Sequence, residues 1–346
     1  MKFAVLGAGA IGAYLGAALA RGGSEVMLIA RGAHLKALQE HGVRVLSPRG
    51  DFHVHPPATD DIGAVADADN VFLAVKAYNL PEIAPRLGDA LAPGTAVIPA
   101  QNGIPWWYFQ HHPGPFADTV LESVDPGGTI ARSIEPERIV GFVIYCSTEI
   151  VEPGVIRHVE GTRFAIGELD GTSSERCRRI SEALVAGGLK CPVEQRLRDH
   201  IWLKLIGNVA FNPVTALTRV TLGELGALPE MAELLQAIFQ ECAAVGAALG
   251  VEFPVSLERR LEAGIAVGDH KTSMLQDLEA GKPLEIDCMS GAVIELADRL
   301  GIPVPHTRAV HACTKLLDLV SQRSERWREP PIEPVASPFV AFKSMK

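Results

Sequence analysis

The chain has 346 residues, of which 47% are hydrophobic and 21% charged, as in an ordinary globular protein long enough for two domains. Its formal net charge of −9 argues against a nucleic-acid partner or an anionic membrane surface, though a local basic pocket for a phosphate is compatible with it. Beyond the opening stretch no apolar run reaches about 18 residues, the length a bilayer-spanning helix needs, and six scattered cysteines without a C-x-x-C pair read as reduced thiols, not a disulfide framework.

The opening stretch, MKFAVLGAGAIGAYLGAALARGG, has two readings. A lysine, an apolar run and an A-x-A-like ending at Ala18, Leu19 and Ala20 resemble a secretory signal peptide. Gly7, Gly9 and Gly12, however, stand in G-x-G-x-x-G register directly after FAVL. Gly7 lets the chain leave a strand tightly, Gly9 admits a pyrophosphate to the backbone, and Gly12 lets the helix pack against the strand. The helix then aims its free N–H groups and positive dipole end at the phosphates. A second apolar segment, EVMLIAR, follows Gly22-Gly23, so strand, turn, helix and strand fit a βαβ unit of about 30 residues. The dinucleotide reading therefore prevails, with Gly7, Ala8, Gly9, Ala10, Ile11 and Gly12 as cofactor contacts and a cytoplasmic location. Where NAD-binding chains carry an acidic residue near the end of the second strand, this one has Ala30 and Arg31. A guanidinium suits a 2′-phosphate, so NADPH is expected over NADH. Lys36 is open to two readings, a helper at that phosphate or a solvated helix face.

Further along, VRVL and DFHVH flank the turn signal Ser47-Pro48-Arg49-Gly50 and predict a hairpin. NVFLAVK and TAVIPAQNG predict parallel strands separated by the helix NLPEIAPRL. RIVGFVIYCSTEI, GVIRHV and RFAIGEL predict separate, later strands, SSERCRRISEALVAGG a helix, and KCPVEQ a last short strand. From about Asp199 helical periodicity takes over. The expectation is an α/β Rossmann-type NADP-binding domain over 1–196, an all-α substrate and catalytic domain over 197–322, and an irregular tail over 323–346.

Candidate chemistry falls in three places. Lys76 and Asn102 end two apolar strands, where ligands of open α/β sheets bind; a surface lysine and a turn asparagine are the bland alternatives. In HIWLKLIGNVAFNPVTAL, Lys204, Asn208 and Asn212 share one helix face at i, i+4 and i+8. The lysine either snorkels to water or lies in a cleft, where desolvation improves it as a proton donor. In HKTSMLQDLEAGKPLEIDCMSGAV, Ser273 and Glu285 could grip a carboxylate and a hydroxyl, or merely belong to a capped helix followed by solvated acids. His111-His112 and His53-x-His55 lack partners at zinc spacing, so no metal is expected.

GAGAIGA, VKAY, QNG, WLKLIGNVAFNPVTAL and SMLQDLEAGKPLEIDCMSG resemble, in the same order, the motifs of the ketopantoate reductase (2-dehydropantoate 2-reductase) family, over about residues 1–320. The resemblance implies NADPH-dependent reduction of ketopantoate to pantoate, on the route to pantothenate and coenzyme A. It implies Lys204 as the general acid, Glu285 as the partner of the substrate hydroxyl and Ser273 as the carboxylate ligand. Asn208 and Asn212 would orient substrate and lysine, with Asn102 and Lys76 between nicotinamide and substrate and Arg31 on the 2′-phosphate. The chain departs from the family pattern in the Trp106-Trp107-Tyr108-Phe109 cluster, in Lys282 and Leu284, and in Ser290. If that cluster lines a larger pocket, the enzyme reduces a bulkier 2-oxo acid; a non-enzymatic NADPH-binding regulator is the remaining alternative. A homodimer through the helical domain is compatible with the sequence.

Overall fold

The computed structural model describes residues 1–323; the rest of the expected tail lies outside the described residues. By internal packing the chain forms two units. The first comprises Met1–Leu205, Val245–Pro254 and Asp287–Gly301, and the second Ile206–Ala244, Val255–Ile286 and residues 302–323. The helical run begins at Leu197, close to where the composition changes, but the packing division falls inside that first helix, after Leu205.

In the first unit β1 (Lys2–Leu6), α1 (Ala10–Arg21), β2 (Glu25–Ile29) and α2 (Gly32–His41) form the expected βαβα start. β3 (Val43–Leu46) and β4 (Phe52–Val54) pair antiparallel as the predicted hairpin. The short β5 (Ala58–Thr59), β6 (Asn70–Leu73), α3 (Leu80–Ala90) and β7 (Ala96–Pro99) follow. Five of these strands make a parallel sheet in the order β5-β2-β1-β6-β7. Every residue of β6 and β7 is buried, which is why their sequences read as continuous apolar runs. α1 lies close on this sheet because its inward residues are small: a Cβ on Gly16 would meet Leu28 Cδ2 at 2.4 Å.

After α4 (Thr129–Ser133), β8 (Gly141–Glu152) and β9 (Val155–Gly167) form a long antiparallel hairpin in a second sheet, ordered β4-β3-β9-β8. Two expectations are corrected here. GVIRHV and RFAIGEL belong to one strand, because Gly161, at φ +74°, lets β9 absorb its irregularity next to a register shift instead of breaking. KCPVEQ is not a strand but makes isolated bridges, Lys190 to Arg163 and Val193 to Ile166. α5 (Glu175–Ala186) lies between them, capped by Ser174.

α6 (Leu197–Thr218) carries the chain into the second unit, which contains α7 (Leu222–Leu225), most of α8 (Pro229–Ala248), α9 (Leu257–Ile265) and α10 (Ser273–Glu279). α11 (Ala292–Leu300) belongs to the first unit and α12 (Pro305–Ser321) to the second. The helix starts are well capped: Thr221 and Glu224 form a reciprocal box on α7, and Ser256 and Thr272 cap α9 and α10. At α12 the job falls to a distant carboxylate, Glu241, which accepts the N–H groups of His306 (2.9 Å) and Thr307 (2.8 Å). Among the described residues no helix is long and apolar enough to cross a membrane.

Candidate active site

The glycine-rich turn sits at the carboxyl end of β1. Gly7 has φ +96°, and a Cβ there would press on the backbone and side chain of Val75 at 2.7 Å. The Gly7 and Ala8 N–H groups both donate to Ile29 O, at 3.0 and 2.9 Å, which ties the turn to the end of β2. A Cβ on Gly12 would lie 2.2 Å from Gly7 O, so the first turn of α1 needs glycine to close on the loop. Gly9 differs: an added Cβ meets nothing within 4 Å. Its backbone faces open space at a helix start that no described side chain caps and that bears no acid in its first turn. That is the space and polarity a pyrophosphate requires.

At the end of β2, Ala30 is buried and Arg31 is exposed in extended backbone at the start of α2. Sequence reasoning missed His34, three residues on. Its Nδ1 accepts the Gly154 N–H at 3.1 Å, which anchors the β8–β9 turn to α2, and burial pulls its pKa below the usual histidine value.

Lys76 is half-buried just beyond β6 and next to Val75, on which Gly7 rests. Past β7, Gln101 Nε2 donates to Leu73 O (2.6 Å) and Val75 O (2.9 Å), stapling the carboxyl ends of β6 and β7 together. Gly103 has φ +85° and a Cβ on it would be 2.2 Å from Cys288 O. Ile104 N–H donates to that same carbonyl at 2.8 Å. Cys288 lies in a π-helical turn over Asp287–Gly291, a departure from α geometry that recurs at functional sites. Strand end and π-turn together fix the loop that bears Asn102.

Lys204, half-buried on α6, donates from Nζ to Asn102 Oδ1 at 2.7 Å. It therefore does not snorkel to water. The nearby Cys146 thiol on β8 is pushed up to about 12 by burial, against the opposing pull of the Lys204 ammonium. Glycine turn, Lys76, Asn102 and Lys204 thus gather at the carboxyl ends of the adjacent strands β1, β6 and β7.

The remaining candidates lie in the second unit. Asn208 is half-buried and Asn212 is 5% exposed, both on α6. Ser273 is exposed as the first residue of α10, behind its cap Thr272. Glu285 is buried, two residues before the π-turn. Among the described residues no group of three or more His, Cys, Asp or Glu side chains could hold a metal ion. The His53 and His55 rings lie tilted against each other, centroids 4.4 Å apart, with His53 Nε2 bonded to His41 O.

A family model described as the ketopantoate reductase PanE/ApbA matches residues 3–171, and one for its C-terminal part matches 196–318. The chain belongs to the ketopantoate reductase family. It is 44% identical to a 2-dehydropantoate 2-reductase of Mesorhizobium japonicum, over 92% of this chain and 98% of that one. A 2-dehydropantoate 2-reductase of Halobacterium salinarum is 32% identical, over 91% and 98%. The solved PanE/ApbA family ketopantoate reductase of Ralstonia eutropha superposes with a TM-score of 0.80 at 31% identity, covering 93% of this chain and all of that one.

The aromatic run, whose role the sequence left open, lies inside the first unit. Trp106, Trp107, Tyr108 and Phe109 are each 5% exposed or less. Tyr108 OH accepts the Trp202 indole N–H at 2.8 Å. Trp107 reaches β8, where a Cβ on Gly141 would strike its ring at 2.8 Å. The four side chains belong to the core of the first unit.

Proposed function

We propose that this chain reduces the 2-keto group of ketopantoate to pantoate with NADPH, in the cytoplasm and as a homodimer. The observation that carries the reading is the 2.7 Å bond between the Lys204 ammonium and Asn102, at the strand ends that also bear the glycine turn. An amine held there by a neutral amide oxygen is aimed, as a proton donor to a developing alkoxide must be.

The N–H groups of Ala10, Ile11 and Gly12, at the start of α1, would hold the pyrophosphate, and the exposed Arg31 guanidinium would take the 2′-phosphate. When bound, NADPH supplies the hydride that reduces the keto carbon. Lys204 gives one proton from Nζ to the keto oxygen, so the product is the 2-hydroxy acid and the lysine is left neutral until solvent reprotonates it. Asn102 orients that ammonium, and Lys76 would lie beside the nicotinamide. Ser273 hydrogen-bonds the substrate carboxylate, Glu285 its hydroxyl, and Asn208 and Asn212 fix its orientation.

The test is loss of NADPH absorbance with purified protein, ketopantoate and a panel of bulkier 2-oxo acids, run also with NADH. The expected result is the highest kcat/KM for ketopantoate with NADPH. A bulkier acid turned over faster would refute the substrate. Tight NADPH binding without oxidation by any 2-oxo acid would make the chain a regulator. Light scattering that returns the monomer mass would remove the dimer.

A further inference from the structure

In the second unit two buried threonines join the segments that bear Asn212 and Ser273. Thr215 Oγ1 lies 3.0 Å from Asn212 O and 2.6 Å from Thr272 Oγ1. The Leu275 N–H in turn donates to Thr272 Oγ1 at 3.3 Å. Thr215 is 0% and Thr272 5% exposed, so water does not substitute for either partner.

Counting protons gives the chain a direction. A threonine hydroxyl has one hydrogen to donate and two lone pairs. A carbonyl can only accept, so the Thr215 proton is committed to Asn212 O. With the Thr215 proton on Asn212 O, Thr272 is the donor in the 2.6 Å bond, which either hydroxyl can supply, and its lone pair receives Leu275 N–H. The relay runs from the first turn of α10, through both hydroxyls, to the backbone of α6 at Asn212.

That backbone needs the support. Pro213 lies inside α6. It has no N–H for the carbonyl four residues earlier, its ring crowds that carbonyl, and it disfavours helical geometry at the preceding residue, Asn212. α6 is weakest at a residue assigned to the substrate, and there the Thr215 hydroxyl bonds back to the chain.

From this geometry we infer that Thr215 and Thr272 are positioning residues: their hydroxyl pair sets Asn212 on α6 in register with Ser273 on α10. The inference rests on the substrate roles proposed above for those two residues. Neither threonine touches substrate. Their effect is on how well the carboxylate and the orienting amide are presented.

Thr215→Val keeps the shape and removes the hydroxyl. With one hydrogen bond's worth of registration lost, KM for ketopantoate should rise about tenfold, while kcat at saturation and the Kd for NADPH stay at wild-type values. Thr215→Ser restores the hydroxyl and should restore KM, a rescue that a loss of packing alone would not give. An unmoved KM in Thr215→Val with a lowered Tm, or an equal KM defect in Thr215→Ser, overturns the inference. If Thr215→Val does not fold, Thr272→Ala carries the test, with the same expected rise and the same refutation. Wild-type turnover is measured first: its absence overturns the proposed function and this inference together. Wild-type turnover with an unmoved KM in the variant overturns the hydroxyl pair alone.

Discussion

Replacing Gly9 by alanine separates cofactor binding from folding. Gly9 has φ −76° and ψ −154°, which any residue adopts, and its added methyl meets nothing within 4 Å. The variant should fold as well as the parent or gain up to about 1 kcal/mol from a stiffer unfolded chain. The same methyl occupies the space assigned to the pyrophosphate. Overpacking of one carbon costs about 1–3 kcal/mol, and the upper end corresponds to a rise in Kd of roughly 100-fold. Thermal shift reads both effects. At a concentration about 100 times the parent Kd, NADPH stabilises the parent by about 2.7 kcal/mol, and a variant with a Kd about 100-fold weaker by only about 0.4 kcal/mol. For a domain of this size that is roughly 5–10 °C against about 1 °C. Gly12→Ala is the contrast: its methyl would lie 2.2 Å from Gly7 O, so it should lower Tm with no ligand present. If Gly9→Ala showed the full NADPH shift, the pyrophosphate would not lie where the loop geometry puts it.

Lys204→Ala should lower kcat by about 10²–10⁴-fold, the range for a lost general acid, with NADPH binding by fluorescence titration unchanged; near-parental turnover would reassign the acid. Arg31→Ala should weaken NADPH by about 1.5–3 kcal/mol, the worth of hydrogen bonds to a charged group, and leave NADH unaffected; equal loss for both would remove the 2′-phosphate role. Glu168, Glu241 and Glu295 are held below the usual glutamate pKa although burial raises each of them, because Arg176 with Ser174, the N–H groups at the start of α12, and Ser123 with Glu122 N–H outweigh it. A depressed folded pKa stabilises above the unfolded value, so stability should fall as pH drops below about 4.3. Urea unfolding from pH 7 down to 3 would show it, and Glu241→Gln should flatten the slope.

The parallel sheet was legible because its strands are buried on both faces and so spell out apolar runs, and because the glycine spacing reports close approaches that the structure places at Gly7 and Gly12. Lys204 and Asn102 could be singled out as polar residues in apolar surroundings, but their pairing spans 102 residues and no local pattern encodes it. His34 escaped for the same reason, acting through the distant backbone of Gly154; Gln101 stood out at its strand end, but its bonds to Leu73 and Val75 could not be read there. Thr215 and Thr272 look like ordinary helix residues, and only their 2.6 Å approach gives them a role. The aromatic run stayed open because bulk near a site motif reads equally as pocket wall and as core.

That run has a mechanical consequence. The segment from Asn102 to Gln110 meets α6 at several points. Arg198 donates to Tyr108 O (2.9 Å) and Gln110 O (2.8 Å), and also to Leu169 O (2.6 Å). Trp202 bonds the Tyr108 hydroxyl, and Lys204 bonds Asn102. The helix that carries Lys204, the proposed proton donor, and the loop that carries Asn102 are therefore fastened together next to the Lys204–Asn102 bond. Removing Arg198 leaves three carbonyls without their donor, and each such loss costs about 1–3 kcal/mol when buried. Arg198→Met should accordingly lower stability, and it should also lower kcat, because an ammonium displaced by about 1 Å forfeits much of its catalytic alignment. Tyr108→Phe removes only the bond to Trp202 and should do the same to a smaller degree. If both variants lost stability while kcat held, the aromatic core would be a scaffold without influence on the Lys204–Asn102 pair.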